Sequence, residues 1–162
     1  MPSPFIVPLL FLLLLANGTP LMARKVLGKH LAYPVDGDRD FVDGRPVFGP
    51  AKTLRGVACA IVVTAAGASL VGLGWKIGLM VGTLAMVGDL FSSFLKRRLG
   101  RLPSSPVVGV DQIPESLLPL LACLRPLSLT LADVAIGVAI FSIGAILLSR
   151  LLYAFDLRDR PY

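Results

Sequence analysis

The chain has 162 residues, 55% of them hydrophobic and only 16% charged, with a mean hydropathy of +0.78. A soluble domain holds about a quarter charged residues and roughly half apolar ones at most, so this composition argues against a soluble fold and points to lipid. Sixteen Lys and Arg against ten Asp and Glu give +6, an excess that in a membrane protein marks cytoplasmic loops, anionic headgroups or phosphorylated substrates and does not require nucleic acid.

A hydrocarbon core of about 30 Å asks for roughly 20 apolar residues per crossing helix. Five segments approach this, at about 4–23, 57–75, 77–95, 113–124 and 129–155. They predict an all-α membrane protein, a single domain over 1–162 with five transmembrane helices. In the first segment the positive residues Arg24 and Lys25 follow the apolar run; a cleaved signal carries them before it, so a retained span is expected. The fourth is short and holds Glu115 and Pro119; the fifth is long enough to tilt. Arg24, Lys25, Lys29, Arg39, Arg45, Lys52 and Arg55 crowd the loop 24–56, and Lys96, Arg97, Arg98 and Arg101 the loop 96–112. Arg150, Arg158 and Arg160 mark the C-terminal end, whereas the other connections hold only Lys76 and Arg125. The positive-inside rule then sets the N-terminus outside, with both basic loops and the C-terminus cytoplasmic. Gly78 and Gly82 form a G-x-x-x-G step for helix packing, within the chain or in a homodimer.

Three polar features need an explanation. Asp89 lies inside the third span, on one helix face with Ser92, Ser93 and Lys96. A carboxylate at that depth costs at least a few kcal/mol, so it must face protein, water or a cation. In the first loop, Lys52, Thr53 and Arg55 abut the start of the second span, where a hydroxyl, basic side chains and helix N–H groups suit a phosphate. Turn signals at Asp36-Gly37, Asp43-Gly44 and Gly49-Pro50 make this loop a folded one. In the second loop, Asp111 precedes the fourth segment, either as a helix cap or as a functional carboxylate. Two carboxylates and several cations on one side of the membrane suit a magnesium-bound polyphosphate. Cys59 and Cys123 lack metal-ligand spacing, and the only histidine, His30, is expected to be dispensable for chemistry of this kind.

Asp43-Gly-Arg45, Gly49-x-x-Lys-Thr-x-Arg-Gly56 and Gly88-Asp-Leu-x-x-Ser-x-x-Lys-Arg-Arg-x-Gly100, followed by Asp111-Gln112, resemble the CDP-archaeol synthase family. That family consists of small five-helix membrane cytidylyltransferases and is similar in turn to phosphatidate cytidylyltransferase. The likeness runs from Asn17 to about Glu115; Pro103 to Val110 and Ile113-Pro-Glu-Ser116 look more like bacterial members. The resemblance implies transfer of CMP from CTP to a membrane lipid phosphate, giving CDP-lipid and pyrophosphate on the cytoplasmic side of the cell membrane. It implies that Asp89 and Asp111 hold Mg²⁺, that Lys52, Thr53 and Arg55 contact CTP phosphates, and that Lys96 and Arg97 act on the transferring group. Asp43 and Arg45 would order the first loop or touch the nucleotide, and Asn17 would line the pocket.

Two rival readings share parts of this pattern. A CDP-alcohol phosphotransferase would need Ala-Arg where Val47-Phe48 stand, and further aspartates before Ala66, which are missing. The other is a non-enzymatic membrane scaffold or transporter whose basic loops bind anionic lipid.

Overall fold

The computed structural model describes residues 3–28, 30–101 and 109–154. Lys29, most of the second loop and the tail arginines Arg158 and Arg160 lie outside the described residues. Five helices follow one another: α1 (Ile6–Leu27), α2 (Leu54–Leu70), α3 (Trp75–Arg98), α4 (Gln112–Ala122) and α5 (Leu131–Ala154). Among the described residues there is no β-strand, only two isolated bridges, Pro34 with Thr53 and Asp40 with Pro46. α1, α3 and α5 are long and apolar enough to cross a membrane.

The helices outrun the apolar segments where charge ends hydropathy but not helicity. α1 continues through Arg24 and Lys25, and α3 through Lys96, Arg97 and Arg98. Cations in a last turn complement the helix dipole, so nothing there stops the helix. α2 is displaced the other way. It begins at Leu54 under an N-cap from Thr53 and stops at Leu70, five residues short of the expected end. Gly72 and Gly74 then turn the chain at φ +77° and +79°, a region open to glycine.

Small residues set the packing, as expected. A Cβ on Gly78 would fall 2.5–2.7 Å from Ala68, Ala65 and the Thr64 carbonyl, and one on Gly82 would fall 3.1 Å from Ile61 and Thr64. The G-x-x-x-G face is therefore filled by α2 of the same chain. Leu9, Leu12, Leu13 and Ala16 of α1 join Ala60 and Ala68 of α2, Val81 and Ala85 of α3 and Leu120 of α4 in one core.

α4 is the element whose length the sequence explains least. Its 11 residues span roughly 16 Å at about 1.5 Å each, half a hydrocarbon core, so by itself it is too short for the crossing expected of 113–124. A Cβ on Gly88 would stand 2.3 Å from the Pro114 carbonyl oxygen. The first turn of α4 thus meets α3 ten residues before Arg98, about 15 Å along its axis. The chain has already returned that far when α4 begins. At the opposite end, the Ser3 amide donates to Asp133 Oδ1 at 2.9 Å. Asp133 also closes a capping box with Thr130, 2.8 Å between side-chain oxygens, ahead of α5. The starts of α1 and α5 therefore lie side by side.

Candidate active site

The site is assembled by the polar loop ahead of α2 and by residues of α1, α2, α3 and α4. Residues 33–35 pair with 52–54: the Val35 amide donates to the Lys52 carbonyl at 2.8 Å, and the Leu54 amide to the Tyr33 carbonyl at 2.9 Å. Asp36 braces the loop by accepting from the Phe48 and Gly49 amides, both at 2.8 Å. Burial opposes its charge, but these amides, with that of Asp38, hold its carboxyl below the ordinary carboxylate value. Lys52 is thereby fixed at the entrance to α2. Its Nζ donates to both oxygens of Asp89 at 2.6 Å. Burial disfavours the ammonium, yet Asp89, with Glu115 and Asp111 beyond it, raises its pKa above the ordinary value. Lys52 is a cation at neutral pH.

The serine-lined face of α3 does not join Asp89 to Lys96. Lys96, buried, pairs with Asp111 Oδ1 at 2.7 Å. Glu115, one turn further along α4, is 3% exposed, and its Oε1 has no hydrogen-bond partner among the described residues. Sequence reasoning treated Glu115 only as an obstacle to a span. An ionisable residue four places after Asp111, on the same helix face, was the available signal.

Lys52, Thr53, Arg55, Asp89 and Glu115 line a cavity of about 520 Å³, together with Asn17 and Arg24 from α1. Asp111, Lys96, Arg97, Asp43 and Arg45 are not among its lining residues. Two of the expected phosphate contacts have structural work as well. The Thr53 oxygen accepts from the Gly56 amide at 3.3 Å, leaving its proton to donate. Arg55 binds the carbonyls of Gly28, at 2.7 Å, and His30, tying the end of α1 to α2. The N–H groups expected to greet a phosphate at the start of α2 are partly satisfied, Leu54 by Tyr33 and Gly56 by Thr53.

Asp43 and Arg45 belong to a clasp about the C-terminal end of α3. Arg45 donates to the carbonyls of Arg97 and Arg98 at 3.3 and 2.9 Å. Arg98 pairs with Asp43 and donates to the Pro46 carbonyl at 2.7 Å. Its guanidinium also lies 4.7 Å from the Phe41 ring centre and 5.0 Å from that of Phe94. Arg98, one of the basic residues that the positive-inside rule explains by orientation alone, is the centre of this clasp. Arg97 is buried and presents its carbonyl to Arg45.

No three metal-ligating side chains converge among the described residues. A magnesium ion held chiefly by substrate phosphates needs only one or two carboxylates. Asp89 and Glu115 on a common cavity, the latter with a buried oxygen lacking a hydrogen bond, fit that requirement.

Two lysine–aspartate pairs inside a bundle whose long helices are apolar enough to cross a membrane define the class, a membrane protein with a charged internal site. A model of the CarS-like CDP-archaeol synthase family matches residues 5–162. The chain belongs to that family of membrane enzymes, which are CTP-dependent lipid cytidylyltransferases. A CDP-archaeol synthase of Hyperthermus butylicus is 39% identical over 106 residues, 62% of this chain and 60% of that relative. One of Sulfurisphaera tokodaii is 30% identical over 155 residues, 92% of this chain and 90% of that relative. Such relatives are archaeal, which corrects the bacterial leaning drawn from the second loop. A solved structure of an intramembrane enzyme for archaeal membrane lipids biosynthesis shares the fold, with a TM-score of 0.70 and 24% identity over 88% of this chain and 90% of that one.

Proposed function

We propose that the protein transfers CMP from CTP to the phosphate of an archaetidic-acid-like membrane lipid, releasing pyrophosphate, with magnesium as cofactor. The observation that carries this reading is the Lys52–Asp89 pair on a cavity shared with Glu115, in a chain of this family. The ether-linked lipid follows the name of the relatives. The site faces the cytoplasm, where both basic loops are retained by the positive-inside rule and where CTP is made. Parallel starts of α1 and α5 agree with an N-terminus outside and a C-terminus inside.

A phosphate monoester has a second pKa of about 6 and is largely dianionic at pH 7. Its oxygen attacks the α-phosphorus of CTP, the bond to the β-phosphate oxygen breaks, and pyrophosphate leaves with that electron pair. No general base is required. The protein must bring two anions together and receive charge on the leaving group. Lys52 does so by exchanging Asp89 for triphosphate oxygens when CTP arrives, and the Thr53 hydroxyl donates to the same chain of phosphates. Asp89 and Glu115 are then the carboxylates that would hold magnesium, which supplies positive charge at the phosphate oxygens. Asp111 keeps Lys96 charged and oriented behind them.

The test is purified protein with labelled CTP, a lipid phosphate and Mg²⁺, reading out CDP-lipid and pyrophosphate. Asp89→Asn should abolish turnover while the protein stays folded. A scaffold with anionic-lipid-binding loops would show no turnover in the unaltered protein.

A further inference from the structure

We infer that Arg24 receives the phosphate of the lipid substrate and that the α1–α2 groove beside it takes one hydrocarbon chain; this rests on the reading of the site just given. The cavity has three cationic lining residues, and two are engaged. Lys52 is bound to Asp89, and Arg55 to the carbonyls of Gly28 and His30. Arg24 lines the same cavity and makes no ion pair or hydrogen bond with any described residue. A residue serving only to orient α1 would need no cavity. A guanidinium with open donors offers a phosphate monoester two parallel charge-assisted hydrogen bonds.

The second observation is independent of charge. A groove of about 520 Å³ runs along the same helix, its walls almost wholly apolar. On α1 it follows the i, i+4 row Leu14, Gly18, Met22 and Val26, and Cys59 and Val63 of α2 form its other wall. Gly18 deepens it, since a Cβ there would meet nothing within 4 Å. The groove and the cavity flank one contact, Pro20 on Gly56. Beyond that contact successive residues of α1 divide between them, Leu21 and Arg24 to the cavity, Met22, Ala23, Val26 and Leu27 to the groove. An apolar channel ending beside an open cation matches a molecule with a chain and an anionic head. CTP has no part to fill the groove, and a bulk lipid has no reason to reach the reacting phosphates. The occupant is the lipid phosphate that the reaction consumes.

The experiment measures CMP transfer in detergent to a long-chain dialkyl glycerol phosphate and to its hexyl homologue, for the unaltered protein, Arg24→Gln, Arg24→Lys and Gly18→Phe. Arg24 is exposed and Gly18 faces open space, so each variant should fold. Arg24→Gln is expected to raise the KM for both lipids about tenfold, the loss of roughly one charge-assisted contact, and to raise it more than the KM for CTP. Arg24→Lys should recover part of the loss. Gly18→Phe should lower the ratio of kcat/KM for the long lipid over the short one by about tenfold, comparable with displacing a few methylenes. A larger effect of Arg24→Gln on CTP than on lipid would give Arg24 to the nucleotide and overturn the inference. An unchanged long-to-short ratio in Gly18→Phe would overturn it also, by removing the chain from the groove. If the unaltered protein transfers no CMP to either lipid, the proposed function itself fails; if it does and the variants match it, only this inference fails.

Discussion

Replacing Arg98 by alanine should loosen the first loop without unfolding the bundle. The substitution removes two cation–π contacts, with Phe41 and Phe94, the ion pair with Asp43, and the hydrogen bonds from one guanidinium nitrogen to the Pro46 and Arg45 carbonyls. At about 0.5–1 kcal/mol for each ring contact, under about 1 for a half-exposed ion pair and about 1 for the carbonyl hydrogen bonding of one guanidinium nitrogen, the clasp loses roughly 2–4 kcal/mol. Arg45 still grips the carbonyls of Arg97 and Arg98, so the loop is weakened and not released. If CTP binds only when the clasped loop holds Lys52 at the cavity, apparent affinity falls with the clasped fraction. A loss of about 2–4 kcal/mol limits that fall to between about thirtyfold and several hundredfold. The KM for CTP should rise by up to this factor, while kcat at saturating CTP changes little because bound nucleotide restores the closed loop. Tryptic cleavage after Arg39 reports the same opening directly, and CTP should suppress it. An unaltered KM together with undiminished protection of Arg39 would show that the loop needs no clasp, and the argument would be wrong.

Three further outcomes follow from the site. Glu115→Gln keeps shape and removes charge; it should raise the Mg²⁺ concentration needed for half-maximal turnover, and a superimposable Mg²⁺ titration would take Glu115 out of the metal's reach. Asp111→Asn leaves the buried Lys96 ammonium without its counter-charge, a change worth about 3–5 kcal/mol, so the melting temperature in detergent should drop; loss of activity with unchanged melting would instead make Asp111 a direct metal ligand. Asp36 has a folded-state pKa below its ordinary 3.8. Its contribution is therefore complete above that value and disappears as pH falls through the lowered one. Exchange protection of the Phe48 and Gly49 amides should follow this course in acid, and protection that already fails near neutral pH would contradict it.

The five-helix plan was legible because hydropathy reads lipid contact, and lipid contact dictates most of these residues. Helix ends were less so. Charge at 24–25 and 96–98 closes an apolar window, but in the last turn of a helix it is favourable, and α1 and α3 run on. The shortness of α4 was visible in the apolar segment 113–124, but where α4 begins along α3 is a tertiary fact marked in the sequence only by Gly88. The glycine could be read as a packing position, but not as the seat of Pro114.

The charged residues of the site were legible as a set and not as pairs. Helical periodicity correctly set Asp89, Ser92, Ser93 and Lys96 on one face, but residues seven apart on a helix are separated by about 10 Å along its axis. A carboxylate in a low-dielectric bundle takes the nearest cation, whatever element delivers it. Asp89 finds Lys52 across 37 positions of sequence, and Lys96 finds Asp111. The partner of Asp89 is thus decided by the loop's hairpin, and the hairpin by Asp36 and the Arg98 clasp, neither of which lines the cavity. Each lysine is stored on a carboxylate, and only a ligand bearing several negative charges offers Lys52 more than Asp89 already does. On the proposed mechanism, the exchange that would bind the nucleotide would also expose the Asp89 carboxylate to a divalent cation, so nucleotide and metal should bind with positive cooperativity at this site.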